Sequence, residues 1–132
     1  MKNLVLFTCA AVLSFSANAS FAVGAFGFDA NAISDTEFEV IPRTRKDIDG
    51  YWCEASDFAR RILGASWQQQ IYVLRGYGPS VTTNRRTAVQ FSLTKPTNTA
   101  QEGSGVFSGF RPGDSMSVQR ANTRCTRIRI NS

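Results

Sequence analysis

Cys53, Cys125, a few carboxylates and one glycine- and hydroxyl-rich loop are the residues of this 132-residue chain with chemistry to offer. Cys53 stands in Tyr51-Trp52-Cys53-Glu54, at the start of a helical pattern, where a thiol's pKa falls and nucleophilic attack is conceivable. Such a thiolate needs a base, and the chain contains no histidine. The same absence removes Ser-His-Asp and Cys-His hydrolysis of the usual kind, histidine acid–base catalysis and most zinc or copper sites. Cys125 is the remaining partner for Cys53, and an even pair in an exported chain reads as a single disulfide, with two separate thiols as the competing account. Closing so long a loop would stabilise the fold by about 4 kcal/mol.

Glu54 and Asp57, beside Arg60, fall at i and i+3 of the same helical pattern. Two carboxylates suffice for glycoside hydrolysis. Nothing in the sequence sets their pKa values apart, so a solvated helix face is the better account. Asp47-Ile48-Asp49-Gly50 opens like a calcium loop, but the next ligand positions run into Tyr51, Trp52 and Cys53, and a helix cap is the better account. No cofactor motif, metal-ligand set or catalytic residue is assigned. The most site-like stretch is Arg75 to Arg86. Its Gly76 and Gly78 amides, with Thr82, Thr83, Arg85 and Arg86, have the donors to hold a phosphate, sulfate or carboxylate. It matches no phosphate-loop pattern and lacks that loop's lysine, so an ordinary hairpin connection competes with this reading. Arg127 and Arg129, alternating with Ile128 and Ile130, would add a basic face to a final strand.

The elements that must position these groups begin after an expected export signal. Met1-Lys2-Asn3, an apolar block from Leu4 to Phe15 and the small residues before Ser20 read as a secretory signal peptide over residues 1–19, cleaved after Ala19, with Ala22 as a second site. The apolar block falls short of the roughly 20 residues that cross a bilayer. Cys9 lies inside this signal. Removing Lys2 with it lowers the formal charge from +5 to +4. Residues 20–36 read as a flexible or loosely packed arm carrying Phe21, Phe26 and Phe28, and 37–132 as a single domain.

Within that domain Glu37 to Ile41 alternates like a short strand. Trp52, Ala55, Ala59 and Ile62 form one stripe of an amphipathic helix, capped by Asp47 or Asp49 and ended by Gly64. Gln70 to Arg75 is apolar on both parities, as in a strand buried on two faces. Thr87 to Leu93 places Val89, Phe91 and Leu93 inward and leaves Ala88, Gln90 and Ser92 on a wet face. Val106–Phe110, Ser115–Arg120 and Cys125–Ile130 read as further strands, with a type II turn at Arg111-Pro112-Gly113-Asp114. The expected fold is α+β: one main helix on a largely antiparallel sheet of about five strands, tied by a single disulfide.

The wording Tyr51-Trp52-Cys53-Glu54-Ala55-Ser56-Asp57-Phe58-Ala59-Arg60-Arg61, with Arg75-Gly76-Tyr77-Gly78-Pro79-Ser80 and Arg85-Arg86-Thr87-Ala88-Val89-Gln90-Phe91, resembles a group of small exported alphaproteobacterial proteins of unknown function. The resemblance covers residues 38 to 94 and implies a periplasmic or secreted protein with no assigned activity. Clustered arginines in a basic exported domain point to an anionic partner, either an envelope polymer or nucleic acid. A carboxylate-dependent hydrolase of glycans and an inhibitor or assembly partner using the Phe21–Phe28 arm are the competing functions.

Overall fold

The computed structural model describes residues 21–23, 27–97 and 109–130. In chain order they form β1 (Phe21–Val23), β2 (Phe28–Ala32), β3 (Glu37–Pro42), α1 (Ile48–Arg61), β4 (Gln70–Gly78), β5 (Ala88–Ser92), β6 (Ser115–Ser117) and α2 (Val118–Ile130). The strands make one antiparallel sheet in the order β1-β2-β3-β5-β4-β6. Helix α1 packs on it, so the α+β architecture holds, with a second helix beside the first.

Local chemistry fixes α1 as the sequence indicates. Asp47 is the N-cap, its Oδ2 accepting from Gly50 N at 2.9 Å. At the other end Gly64 has φ +70° and Ala65 N reaches back to Ala59 O at 2.9 Å, which satisfies a terminal carbonyl. Trp52, Ala55 and Ala59, with Tyr51 and Phe58, are buried against Phe38, Val40, Val73, Val89 and Phe91 of the sheet. Ile62 is 39% exposed, because the helix stops at Arg61 and the stripe does not extend to it. Gly50 is required by packing: a side chain there would collide with the Phe28 ring.

The arm expected over residues 20–36 is instead partly sheet. Phe28 to Ala32 pairs in register with Pro42 to Phe38, and Phe28 and Ala30 are fully buried. Phe28 therefore belongs to the core rather than to a partner-binding arm. The signal-peptide residues and Phe26 lie outside the described residues.

The C-terminal segment is the largest correction. Cys125–Ile130 is helical, and Ser115–Arg120 gives up its strand after Ser117, whose Oγ accepts from Arg120 N at 3.1 Å as a helix cap. Val118, Ala121 and Cys125, at i, i+3 and i+7, are the buried stripe of α2. Because this segment is helical, the period-two arginine face expected of a final strand at Arg127 and Arg129 does not form. The strand expected at Val106–Phe110 falls largely outside the described residues, and Gly109 and Phe110 are not in a strand. The turn at Arg111–Asp114 forms as expected, with Asp114 N bonded to Arg111 O at 3.0 Å and Gly113 at φ +91°.

The Cys53–Cys125 disulfide is present, with a Cα–Cα distance of 4.9 Å. Because Cys125 is on α2, the bond ties helix to helix rather than helix to strand. Two sheet faces also differ from expectation. β4 alternates, with Ile71 and Val73 buried and Tyr72 and Leu74 half-buried, while the outer face of β5 is not wet, since Ala88 and Ser92 are buried.

Candidate functional site

Glu39, on β3, is fully buried opposite Asn31 of β2 and Gln90 of β5. The loop after β4 folds onto it. Ser80 Oγ and Thr82 Oγ1 donate to Glu39 Oε1, Thr82 N donates to the same oxygen at 2.9 Å, and Val81 N donates to Oε2 at 3.1 Å. Burial pushes this carboxyl up, but the Ser80 and Thr82 hydroxyls and the Val81 and Thr82 amides outweigh it and hold the group below its ordinary 4.5. Of the anion-binding donors that the sequence places in this loop, Thr82 is therefore engaged by the chain's own carboxylate. Thr83 Oγ1 accepts from Arg85 N at 3.1 Å, and Gly76 and Gly78 belong to β4, where Gly76 O accepts from Arg75 Nε at 3.3 Å.

Pinning the loop this way sets the position of its far end. Arg75 Nη2 donates to Pro79 O at 2.7 Å, Ser80 N to Arg85 O at 2.8 Å, and Tyr51 OH to Thr87 O at 2.8 Å. Burial, with Tyr77 alongside, raises the Tyr51 pKa, so its hydroxyl remains a donor. Arg85 Nη2 then donates to Pro42 O at 2.6 Å, bringing residues 84–87 against the segment that follows β3.

A cleft of about 340 Å³ results, walled by residues 42–46 and 84–87. It gathers Arg43, Arg45, Lys46, Arg85 and Arg86. Among the described residues Asp29 lies 3.9 Å from Arg43 and Asp47 2.9 Å from Arg45. Lys46 and Arg86 have no ion-pair partner among the described residues. Of the residues singled out from the sequence, Arg85 and Arg86 reach this cleft. Thr82 and Thr83 support the loop behind it. Arg127 is exposed on α2, outside the cleft walls. Arg43, Arg45 and Lys46 were visible as a basic run, Arg43-Thr44-Arg45-Lys46, but nothing local links that run to a loop some forty positions later.

The carboxylate pair proposed on α1 is not presented to solvent. Glu54 is fully buried with neither carboxyl oxygen hydrogen-bonded, while Asp57 pairs with Arg61 at 2.5 Å. Burial, aided by Asp57, raises the Glu54 pKa to about 7, against the pull of Arg61. Among the described residues no group of three or more histidine, cysteine or acidic side chains is placed to hold a metal, and no helix is long and apolar enough to cross a membrane. No family model, curated protein or solved structure matches this chain.

Proposed function

We propose that this is an exported, non-enzymatic domain that binds an anionic polymer in the cleft between residues 42–46 and 84–87. The observation that carries this reading is the convergence of Arg43, Arg45 and Lys46 with Arg85 and Arg86 around one concavity. A groove lined by one sign of charge concentrates counter-ions and speeds their capture. Each anionic group neutralised by Lys or Arg releases condensed counter-ions, so affinity falls as salt rises. Export is supported by the Cys53–Cys125 bond, which suits an oxidising compartment. Signal cleavage after Ala19 would also leave β1 whole, whereas cleavage after Ala22 would remove Phe21 and Ala22 from it.

The test is retention of the exported form on immobilised heparin, single-stranded DNA and an anionic teichoic- or polyphosphate-type polymer. Binding at low salt and elution at moderate salt is expected, with the rank order of the three columns identifying the polymer class. Lys46→Ala/Arg86→Ala should elute earlier and lower the salt slope by about 2, one for each lost contact. Arg127→Ala should elute with the parent. No retention on any column, or equal effects of the cleft and α2 substitutions, would overturn the reading.

A further inference from the structure

A second concavity lies on another part of the surface, where the connection after α1 meets the start of α2. Trp67, Gln68, Gln119, Asn122 and Thr123 bound about 440 Å³ of space. Gln119, Asn122 and Thr123, at i, i+3 and i+4, occupy one face of α2. The connection is fastened to that helix: Val118 N donates to Gln69 O at 2.8 Å and Gln119 N to Trp67 O at 3.0 Å. The indole and the α2 side chains are thereby held at a fixed spacing. Trp67 is 39% exposed, and the Arg60 guanidinium sits 3.8 Å over its ring centroid without being a wall of the concavity. Arg60 thus locks the ring's orientation from outside the space.

The chemistry of the walls is specific. None is charged, so a phosphate or carboxylate finds no counter-ion there. An apolar ligand would cover carboxamides and leave them without partners. The Gln68 and Gln119 carboxamides make no hydrogen bond among the described residues. Among the described residues the Asn122 side chain approaches only the disulfide-bonded Cys125 Sγ, at 4.0 Å, which has no proton to give. Each carboxamide offers donors and acceptors together, and Thr123 Oγ1, which donates to Arg120 O at 2.6 Å, keeps lone pairs to accept. A ligand that supplies many hydroxyls around a ring with an apolar C–H face satisfies every part of this surface. We propose that this concavity is a saccharide-binding site, with Trp67 as the stacking platform and Gln68, Gln119 and Asn122 as the hydroxyl-reading groups. It is separate from the basic cleft and does not depend on that cleft's function.

The test is a titration of the isotopically labelled exported protein with four neutral disaccharides: maltose, cellobiose, lactose and N,N′-diacetylchitobiose. Saturable shifts of the Trp67 indole N–H and of the Gln68, Gln119 and Asn122 side-chain amides are expected with at least one of them. The affinity should not change with salt, which separates this site from an electrostatic one. Trp67→Ala should weaken binding about tenfold or more, equivalent to about 1.4 kcal/mol. Gln119→Ala, an exposed change that leaves the fold intact, should weaken it several-fold. The proposal is overturned if no sugar gives saturable shifts up to about 50 mM, well into the millimolar range. It is overturned equally if shifts appear elsewhere, or if both variants bind as the parent does.

Discussion

Glu39 and Glu54 are both fully buried carboxylates, one on β3 and one on α1. At Glu39 a loop closes over the charge and supplies two hydroxyls and two amides, and the carboxylate is held ionised. At Glu54 no donor arrives, and burial with Asp57 nearby holds the proton on until about pH 7. Burial alone does not decide the charge of a carboxyl group. The donors that come with the burial do, because an ionised group taken from water is tolerated only where its hydrogen bonds are replaced. The Glu39 end carries structure that shapes the basic cleft, while the Glu54 end carries a cost that depends on pH.

The largest break in this contrast should come from Glu39. Glu39→Gln leaves hydroxyl and amide donors competing for an amide that cannot accept from all of them, and should cost about 4 kcal/mol, read as a shift in denaturant midpoint. It should also loosen residues 79–87 and weaken polymer retention. A variant as stable as the parent, with retention unchanged, would show that the Glu39 contacts do not hold the loop.

Glu54 should act through pH with the opposite sign. Its folded pKa, about 7, lies above the ordinary 4.5, so the folded state binds the proton more tightly. Its contribution is fully present below pH 4.5 and is lost as pH rises towards 7, about 3 kcal/mol in all. Glu39 behaves conversely: its folded pKa is depressed, so its contribution is present above pH 4.5 and is lost as pH falls. Together these two groups place maximum stability no higher than about pH 4.5, because above it Glu54 favours the unfolded state while Glu39 has little left to gain. Glu54→Gln should flatten the decline above that pH and be more stable than the parent at pH 8. A parent stability curve that is flat between pH 5 and 8 would contradict this assignment.

The smallest effect sharpens the comparison rather than breaking it. Asp57→Asn removes the i, i+4 pair with Arg61, worth about 0.4 kcal/mol. It also removes a negative charge that raises the Glu54 pKa. The midpoint of the pH-dependent loss should therefore move to lower pH, measurable by following the Glu54 carboxyl carbon by NMR.

Much of the fold was legible in local sequence. Asp47 and Gly64 mark the ends of α1, Glu37–Ile41 reads as a strand and lies in β3, although both of its faces are buried, and Arg85-Arg86 is visibly a basic pair. The C-terminal helix was hidden because Thr126-Arg127-Ile128-Arg129-Ile130 alternates with a period of two, while the helical spacing of Val118, Ala121 and Cys125 is spread through polar residues. Ser117 before Val118 was the missed start signal. At the site, Arg43-Thr44-Arg45-Lys46 and Arg85-Arg86 were each readable, but their meeting was not. It depends on Ser80 and Thr82 bonding a glutamate some forty positions away.

By itself the sequence determined the chemistries open to this protein. Without histidine and with two cysteines beyond the apolar N-terminal block, Cys53 reads as a tether to Cys125 rather than a nucleophile, and the disulfide in the structure decides against two separate thiols. It also determined which residues of α1 share a face, because helical periodicity is local. What covers each face was decided only by the tertiary structure. Tertiary packing around α1 turned Glu54 from a residue expected on a solvated face into a buried acid, and the 79–87 loop turned Glu39 into the anchor of a cleft. Periodicity is set by backbone geometry within a few residues, whereas burial and hydrogen-bond satisfaction are set by segments far apart in the chain.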